Sequence, residues 1–147
     1  MTVLTSIERH LVLPDSSAFV ADPDLIRALE TRATGLACDS DRLLFNQDDP
    51  AMGIYIVRQG VATLTMHSHD GRIIFSVQAK PGSLLGLPAM ISDQPYSLTA
   101  VARAGAEVSF VGRAEFLDLM HTDPQLSLKM LQVLAAEVRT ARQALNH

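Results

Sequence analysis

Two periods of apolar residues divide the chain. Between Arg42 and Gly112 they fall at the two-residue spacing of half-buried strands, and on either side they recur every three or four residues, as on helices. Asp22-Pro23 predicts a helix start, with Asp as N-cap and Pro at the first helical position, where its missing N–H costs nothing. Leu25, Ile26, Leu29, Ala33 and Leu36 continue at helical spacing, and Gly35 stands near the expected stop. RLLFN from Arg42 then reads as a short strand, and Gln47-Asp48-Asp49-Pro50 as a turn. GIYIVRQGVATLTMHS predicts two strands joined in a tight hairpin at Gln59-Gly60. Asp70-Gly71 is a stronger hairpin signal, and RIIFSVQA returns from it with Ile73, Phe75 and Val77 on one face. SLTAVARAG and AEVSFVG predict a further strand pair around Gly105.

Helical spacing resumes at Arg113 with Phe116, Leu117 and Met120, and Asp123-Pro124 repeats the cap-plus-proline start. In the last helix Leu131, Leu134, Val138, Ala141 and Leu145 follow a three-four-three-four spacing, an a/d seam suited to pairing with a second helix. Leu126, Met130 and Val133 form a second apolar face, so this helix is expected to touch both the strand domain and something else. The expectation is a mainly β chain with flanking helices: a helical lead-in over residues 1–41, a barrel or jelly roll over 42–112, and C-terminal helices over 113–147. Closing the strands in either way removes unpaired edges.

Composition narrows the function. With 147 residues and 48% hydrophobic content, the chain supports one core. A formal charge of −4, from 12 basic and 16 acidic residues, argues against a nucleic-acid surface, which needs a clustered basic field. Cys38 is the lone cysteine, which excludes an internal disulfide and fits a reducing cytoplasm. The N-terminus has no signal-peptide pattern, and no apolar run reaches membrane-spanning length. No Ser–His–Asp or paired-carboxylate arrangement can be argued from spacing, so a non-enzyme without a cofactor is expected.

The stretch PGSLLGLPAMISDQPYSLTAVA interrupts the strand pattern with a glycine-punctuated turn, one brief helical segment near Pro88 and a return strand opening at Tyr96. Five landmarks occur in order: IYIVRQGVATL around Gly60, Asp70-Gly71, Pro81-Gly82 with Gly86, PYSLTAVA, and the seamed final helix. From Asp48 to Leu145 the chain thereby resembles the cyclic-nucleotide-binding domain of the Crp–Fnr regulator superfamily. The resemblance implies a double-stranded β-helix jelly roll of eight strands, with a cassette at 82–99 and a long C-terminal dimerisation helix. It also implies an effector held between cassette and helix, in signal transduction and transcription regulation. The implied effector-binding residues are Leu85, Gly86, Leu87, Pro88, Ala89, Tyr96, Ser97, Leu98 and Thr99, and the implied homodimer contacts are the five seam residues. The implied effector is a cyclic nucleotide or another anion.

The cassette departs from the family's chemistry. Nucleotide-binding members use an arginine against the cyclic phosphate and a glutamate on the ribose hydroxyl. Aligned on Gly86, those positions hold Ser97 and Leu87, and Arg103 lies too far along to substitute. What remains is the helix start at Leu87 to Ala89, whose free N–H groups could favour an anion. A hydrogen bond to a charged partner is worth about 1.5–3 kcal/mol, so losing two weakens binding by several powers of ten. Tight binding of cyclic AMP or cyclic GMP is therefore not expected. The family's regulators continue into a helix-turn-helix domain, whereas this chain stops at His147, so direct DNA binding is not expected either.

Two rival readings stand beside this one. The domain could be a degenerate scaffold acting through protein contacts alone. It could also be a metal-binding cupin, since His67 and His69 share one strand face, but a third ligand is lacking and no metal is expected. His10 and His121 suggest nothing beyond surface histidines, and Cys38 reads as a buried small residue. For Tyr96, packing beside Pro95 competes with a place in the pocket lining.

Overall fold

Pro23–Glu30 forms the first helix, α1, for the reason its sequence suggests: the Asp22 carboxylate accepts the Asp24 N–H at 2.7 Å and Pro23 opens the first turn. It ends earlier than its apolar spacing predicts. Ala33 and Leu36 do not continue it, because Thr34–Ala37 leaves as strand β2 and pairs with the strand Glu107–Gly112. The helical lead-in expected up to residue 41 thus contains a strand, since ladder hydrogen bonds to a neighbouring edge satisfy this backbone better than a solvated last turn. The computed structural model describes residues 11–12 and 19–145, with a two-residue strand β1 at Leu11–Val12. The remaining strands are β3 (Arg42–Phe45), β4 (Gly53–Gln59), β5 (Ala62–His67), β6 (Ile73–Ala79), β7 (Leu84–Leu85), β8 (Thr99–Ala102) and β9 (Glu107–Gly112). Helix α2 (Leu87–Ser92) lies in the cassette, and α3 (Arg113–Thr122) and α4 (Pro124–Leu145) close the described chain.

The strands form two sheets, ordered β1-β6-β5-β8-β3 and β2-β9-β4-β7. All pairings are antiparallel except β1 with β6. This is the jelly roll expected, but two of its turns differ from their predicted form. Gln59-Gly60 does not close a hairpin: β4 pairs with β7 and β9, whereas β5 pairs with β6 and β8. Likewise β8 and β9 are not a pair around Gly105 but belong to opposite sheets. Both turns are corners where the chain changes sheet, and they pack on each other. Gly60, at φ +76°, sits so close to Ala106 that a Cβ would come within 2.8 Å of the Ala106 Cα, and the Arg103 N–H donates to the Val61 carbonyl at 2.9 Å. Asp70-Gly71 does close a hairpin, with β5 and β6 in register from Ala62↔Ala79 to His67↔Ile73.

β4 explains the layering. Its burial is continuous from Gly53 to Val57, because Tyr55 and Val57 face the interior of the roll while Ile54 and Ile56 face the helices. The helical side joins Leu25 and Leu29 of α1, Phe116 and Leu119 of α3, and Leu126, Met130 and Val133 of α4 in one core. Lys129 adds an ion pair to the α1 cap residue Asp22 at 3.0 Å. The first half of α4 is therefore anchored, and its second half reaches over the cassette.

Candidate functional site

The cassette is built around a left-handed glycine and a buried tyrosine. β7 pairs with β4 through Tyr55↔Leu85 and Ile56↔Leu84, and the chain then reverses at Gly86, whose φ is +92°. A side chain there would be strained by that φ, and its Cβ would stand 2.8 Å from Cε1 of Tyr96. The space Gly86 leaves is filled by the Tyr96 ring, stacked on Phe45 with centroids 3.8 Å apart and 14° between planes. The Tyr96 hydroxyl donates to the Gly53 carbonyl at 2.6 Å and accepts from the Met52 and Gly53 N–H groups at 3.2 and 3.3 Å. Its backbone is bound as well: the Asp48 N–H donates to the Tyr96 carbonyl and the Tyr96 N–H to the Asp49 carbonyl, at 2.7 and 2.9 Å. At the far end of α2 the Arg113 guanidinium pairs with Asp93 at 2.8 Å. The cassette is thus fastened to β4, to the loop before it and to α3.

Between cassette and α4 lies a cavity of about 20 Å³, roughly the room of a single water. Of the sequence-predicted site residues, Leu85, Gly86, Pro88, Ala89, Tyr96, Ser97 and Leu98 line it. Two are placed elsewhere. Leu87 is fully buried in the helical core with Ile54 and Met90, because the first turn of α2 directs it away from the cavity. Thr99 has its hydroxyl engaged by the Gln47 N–H at 2.9 Å, since β8 brings it against the 46–50 turn. Tyr96 does both things weighed for it: it is packed, and it forms a wall. The expected anion cradle at Leu87 to Ala89 is a helix of only six residues without a side-chain cap.

Phe19, Phe45 and Leu64 complete the apolar walls, and among the described residues one charged side chain lines the cavity: Glu137 of α4. Its Oε2 is shielded from solvent and has no hydrogen-bond partner among the described residues. Burial raises its carboxyl to about 8. Tyr96 is likewise held above its ordinary value, mainly by burial, so its phenol stays neutral. No arginine or lysine among the described residues lines the cavity. Sequence reasoning missed Glu137, although a signal existed. It is the one acidic residue between Pro124 and Leu145, and it sits in the half of the helix where the macrodipole disfavours a negative charge.

The proposed seam divides by face. Leu131 and Val138 are 58% and 51% exposed, together with Leu128 at 61%, while Leu134 is half-buried against the helical core. The side chains of Ala141 and Leu145 lie outside those described, as does His10. His69 and His121 are exposed, Cys38 is buried, and among the described residues no three His, Cys, Asp or Glu side chains converge on a metal position.

Residues 37–123, more than half of the chain, match the family model described as cyclic nucleotide-binding domain. Among curated proteins, the HTH-type transcriptional regulator Cmr of Mycobacterium tuberculosis is 29% identical over 100 residues, 68% of this chain and 41% of that protein. The neuropathy target esterase sws of Drosophila persimilis is 26% identical over 135 residues, 88% of this chain but 9% of that protein. The chain therefore spans less than half the length of these relatives. The crystal structure of the Thermus thermophilus catabolite activator protein superposes with a TM-score of 0.74 at 22% identity, over 85% of this chain and 59% of that one. The fold agrees with that structure, and the chain belongs to the cyclic nucleotide-binding domain family.

Proposed function

We propose that the chain is an effector-sensing regulatory domain, not an enzyme, that does not hold cyclic AMP or cyclic GMP tightly and acts as a homodimer through α4. One observation carries the reading: among the described residues, the cavity where the resemblance puts the nucleotide has no cation in its lining and a carboxyl, Glu137, in its wall. A cyclic phosphate buried there would lose its water without gaining a counter-charge, which costs several kcal/mol. The exposed Leu128, Leu131 and Val138 support pairing with a second copy, and the acidic balance supports a role without direct DNA contact. In this reading an effector repositions the second half of α4 and so changes the surface offered to the dimer or to a partner. The lone, buried, reduced cysteine fits a cytoplasmic setting.

The scaffold reading, in which no ligand binds, is favoured by one feature, the small size of the cavity, about 20 Å³. Titration calorimetry with cyclic AMP and cyclic GMP tests the nucleotide half of the proposal. No heat at ligand concentrations up to the millimolar range is expected, and a micromolar dissociation constant for either would overturn it. Replacing Ser97 by Arg together with Glu137 by Gln supplies the missing cation and removes the carboxyl without touching the buried Leu87. That double variant is expected to acquire measurable cyclic-nucleotide affinity.

A further inference from the structure

Resting on the effector-sensing reading above, we propose that the cavity between the cassette and α4 takes a small, mainly apolar ligand with a hydrogen-bond-donating polar end, an organic ammonium foremost, held by the Glu137 carboxyl, and rejects anions. The walls set the apolar part. Phe19, Phe45, Leu64, Leu85 and Leu98 offer nothing to a polar group, and the Tyr96 hydroxyl is turned away to Gly53. Ser97 is exposed, at the rim. Glu137 sets the polar part, because its Oε2 is buried and unpartnered, and a buried polar atom without a partner costs free energy that a ligand donor would recover.

Size determines what binding does. About 20 Å³ holds one water-sized group, so anything larger that enters fully must move a wall. The cassette wall is fixed by the Tyr96 hydroxyl, by Gly86 and by the Arg113–Asp93 pair. The opposite wall is the turn of α4 at Ala136 and Glu137, beyond the anchors Lys129, Met130 and Val133. That turn yields first, and it carries the exposed Val138 with it.

Proton linkage gives a signature that bare packing would not. The other titratable side chain in the lining is Tyr96, neutral and bonded to Gly53, and no described lysine, arginine or histidine lines the cavity. With its carboxyl at about 8, Glu137 is mostly protonated at neutral pH. An ammonium ligand pairs with the carboxylate, so the acid proton leaves to solvent as the pair forms. Affinity for an amine therefore rises about tenfold per pH unit well below pH 8 and levels off beyond it, whereas affinity for a neutral alcohol of the same shape does not rise.

The test is an amide-resolved NMR titration of the whole chain with benzylamine, benzyl alcohol, benzoate and cyclic AMP at millimolar concentration. Benzylamine is expected to perturb the amides of Leu85 to Ala89, Ser97 and the turn around Glu137, with the stated pH slope. Benzoate is not expected to do so at pH 8 and above, where the carboxylate is populated and no longer offers an acid proton to an anion. Glu137→Gln is expected to weaken benzylamine at least about tenfold, the loss of one charge-assisted contact, and to leave benzyl alcohol nearly unchanged. Benzoate binding as well as benzylamine, a flat pH profile for the amine, or no response to any of the three aromatic probes would each overturn the ligand class. Cyclic AMP reports separately. Tight binding of it would sink the reading of the previous subsection, whereas silence from both cyclic AMP and benzylamine would sink only this one.

Discussion

Glu137 is the residue whose position decides the site's chemistry, and its own stability linkage tests that position. Its carboxyl lies near 8 in the folded chain against an ordinary value of 4.5, and the cause is burial. The folded state then binds more protons than the unfolded chain between those two values, so this contribution to stability is complete below about pH 4.5 and is lost as pH rises towards 8. The slope is at most about 1.4 kcal/mol per pH unit for one proton. Urea unfolding across this range is expected to show wild type losing stability relative to Glu137→Gln as pH rises, with the variant the more stable at pH 8. Superimposable pH profiles would place the side chain in solvent. Beyond its being the one acidic residue between Pro124 and Leu145, nothing in the local sequence distinguishes Glu137 from a solvated helix residue, because between Ala136 and Val138 its facing depends on how α4 is rotated on the roll. Gly86 is the opposite case. A glycine before Leu-Pro is legible as a reversal, and both its φ of +92° and the tyrosine ring against it require one.

At the scale of elements, signals contained within a few residues transferred well and signals about pairing did not. Asp22-Pro23 and Asp123-Pro124 do start helices, and Asp70-Gly71 does turn a hairpin, because caps and tight turns are closed by neighbouring backbone groups. The glycines at 60 and 105 look the same in sequence yet serve as corners, since whether two consecutive strands pair is settled by strands far away. Helix α4 shows both kinds at once. Its two apolar faces are legible from spacing, and the structure turns Met130 and Val133 inward, 2% and 4% exposed, and Leu131 and Val138 outward. Charge insertion separates them. Met130→Glu is expected to destabilise by about 3 kcal/mol or more, as an unpaired carboxylate in a packed core. Leu131→Glu with Val138→Glu is expected to leave the thermal transition of the monomer within a few degrees and to abolish dimers in sedimentation. A double variant that unfolds, or one that stays dimeric, would show that this face does not pair with a second copy.

For the molecule as a whole, the arrangement is a fixed roll carrying one helix of unequal halves. From Pro124 to Val133 the helix is held by Leu126, Met130, Val133 and the Lys129–Asp22 pair, while beyond it, among the described side chains, Leu134, Ala136 and Glu137 alone are placed against the domain. An isolated helix end of about a dozen residues is marginal in water, so packing must supply the order of the second half. In the proposed dimer the facing helix adds to that packing, and in a monomer the contacts of Leu134, Ala136 and Glu137 supply what there is. Local opening free energies should follow the same division, high where apolar contacts are dense and near zero where they are not. Hydrogen exchange on the wild type and on the Leu131→Glu, Val138→Glu variant measures this directly. Amides of β4, β9 and the first half of α4 are expected to exchange equally slowly in both proteins. Those after Leu134 are expected to exchange at least about tenfold faster in the variant, about 1.4 kcal/mol of lost protection. Equal protection after Leu134 would mean that the roll alone orders the whole helix, leaving an effector at Glu137 no second arrangement to select.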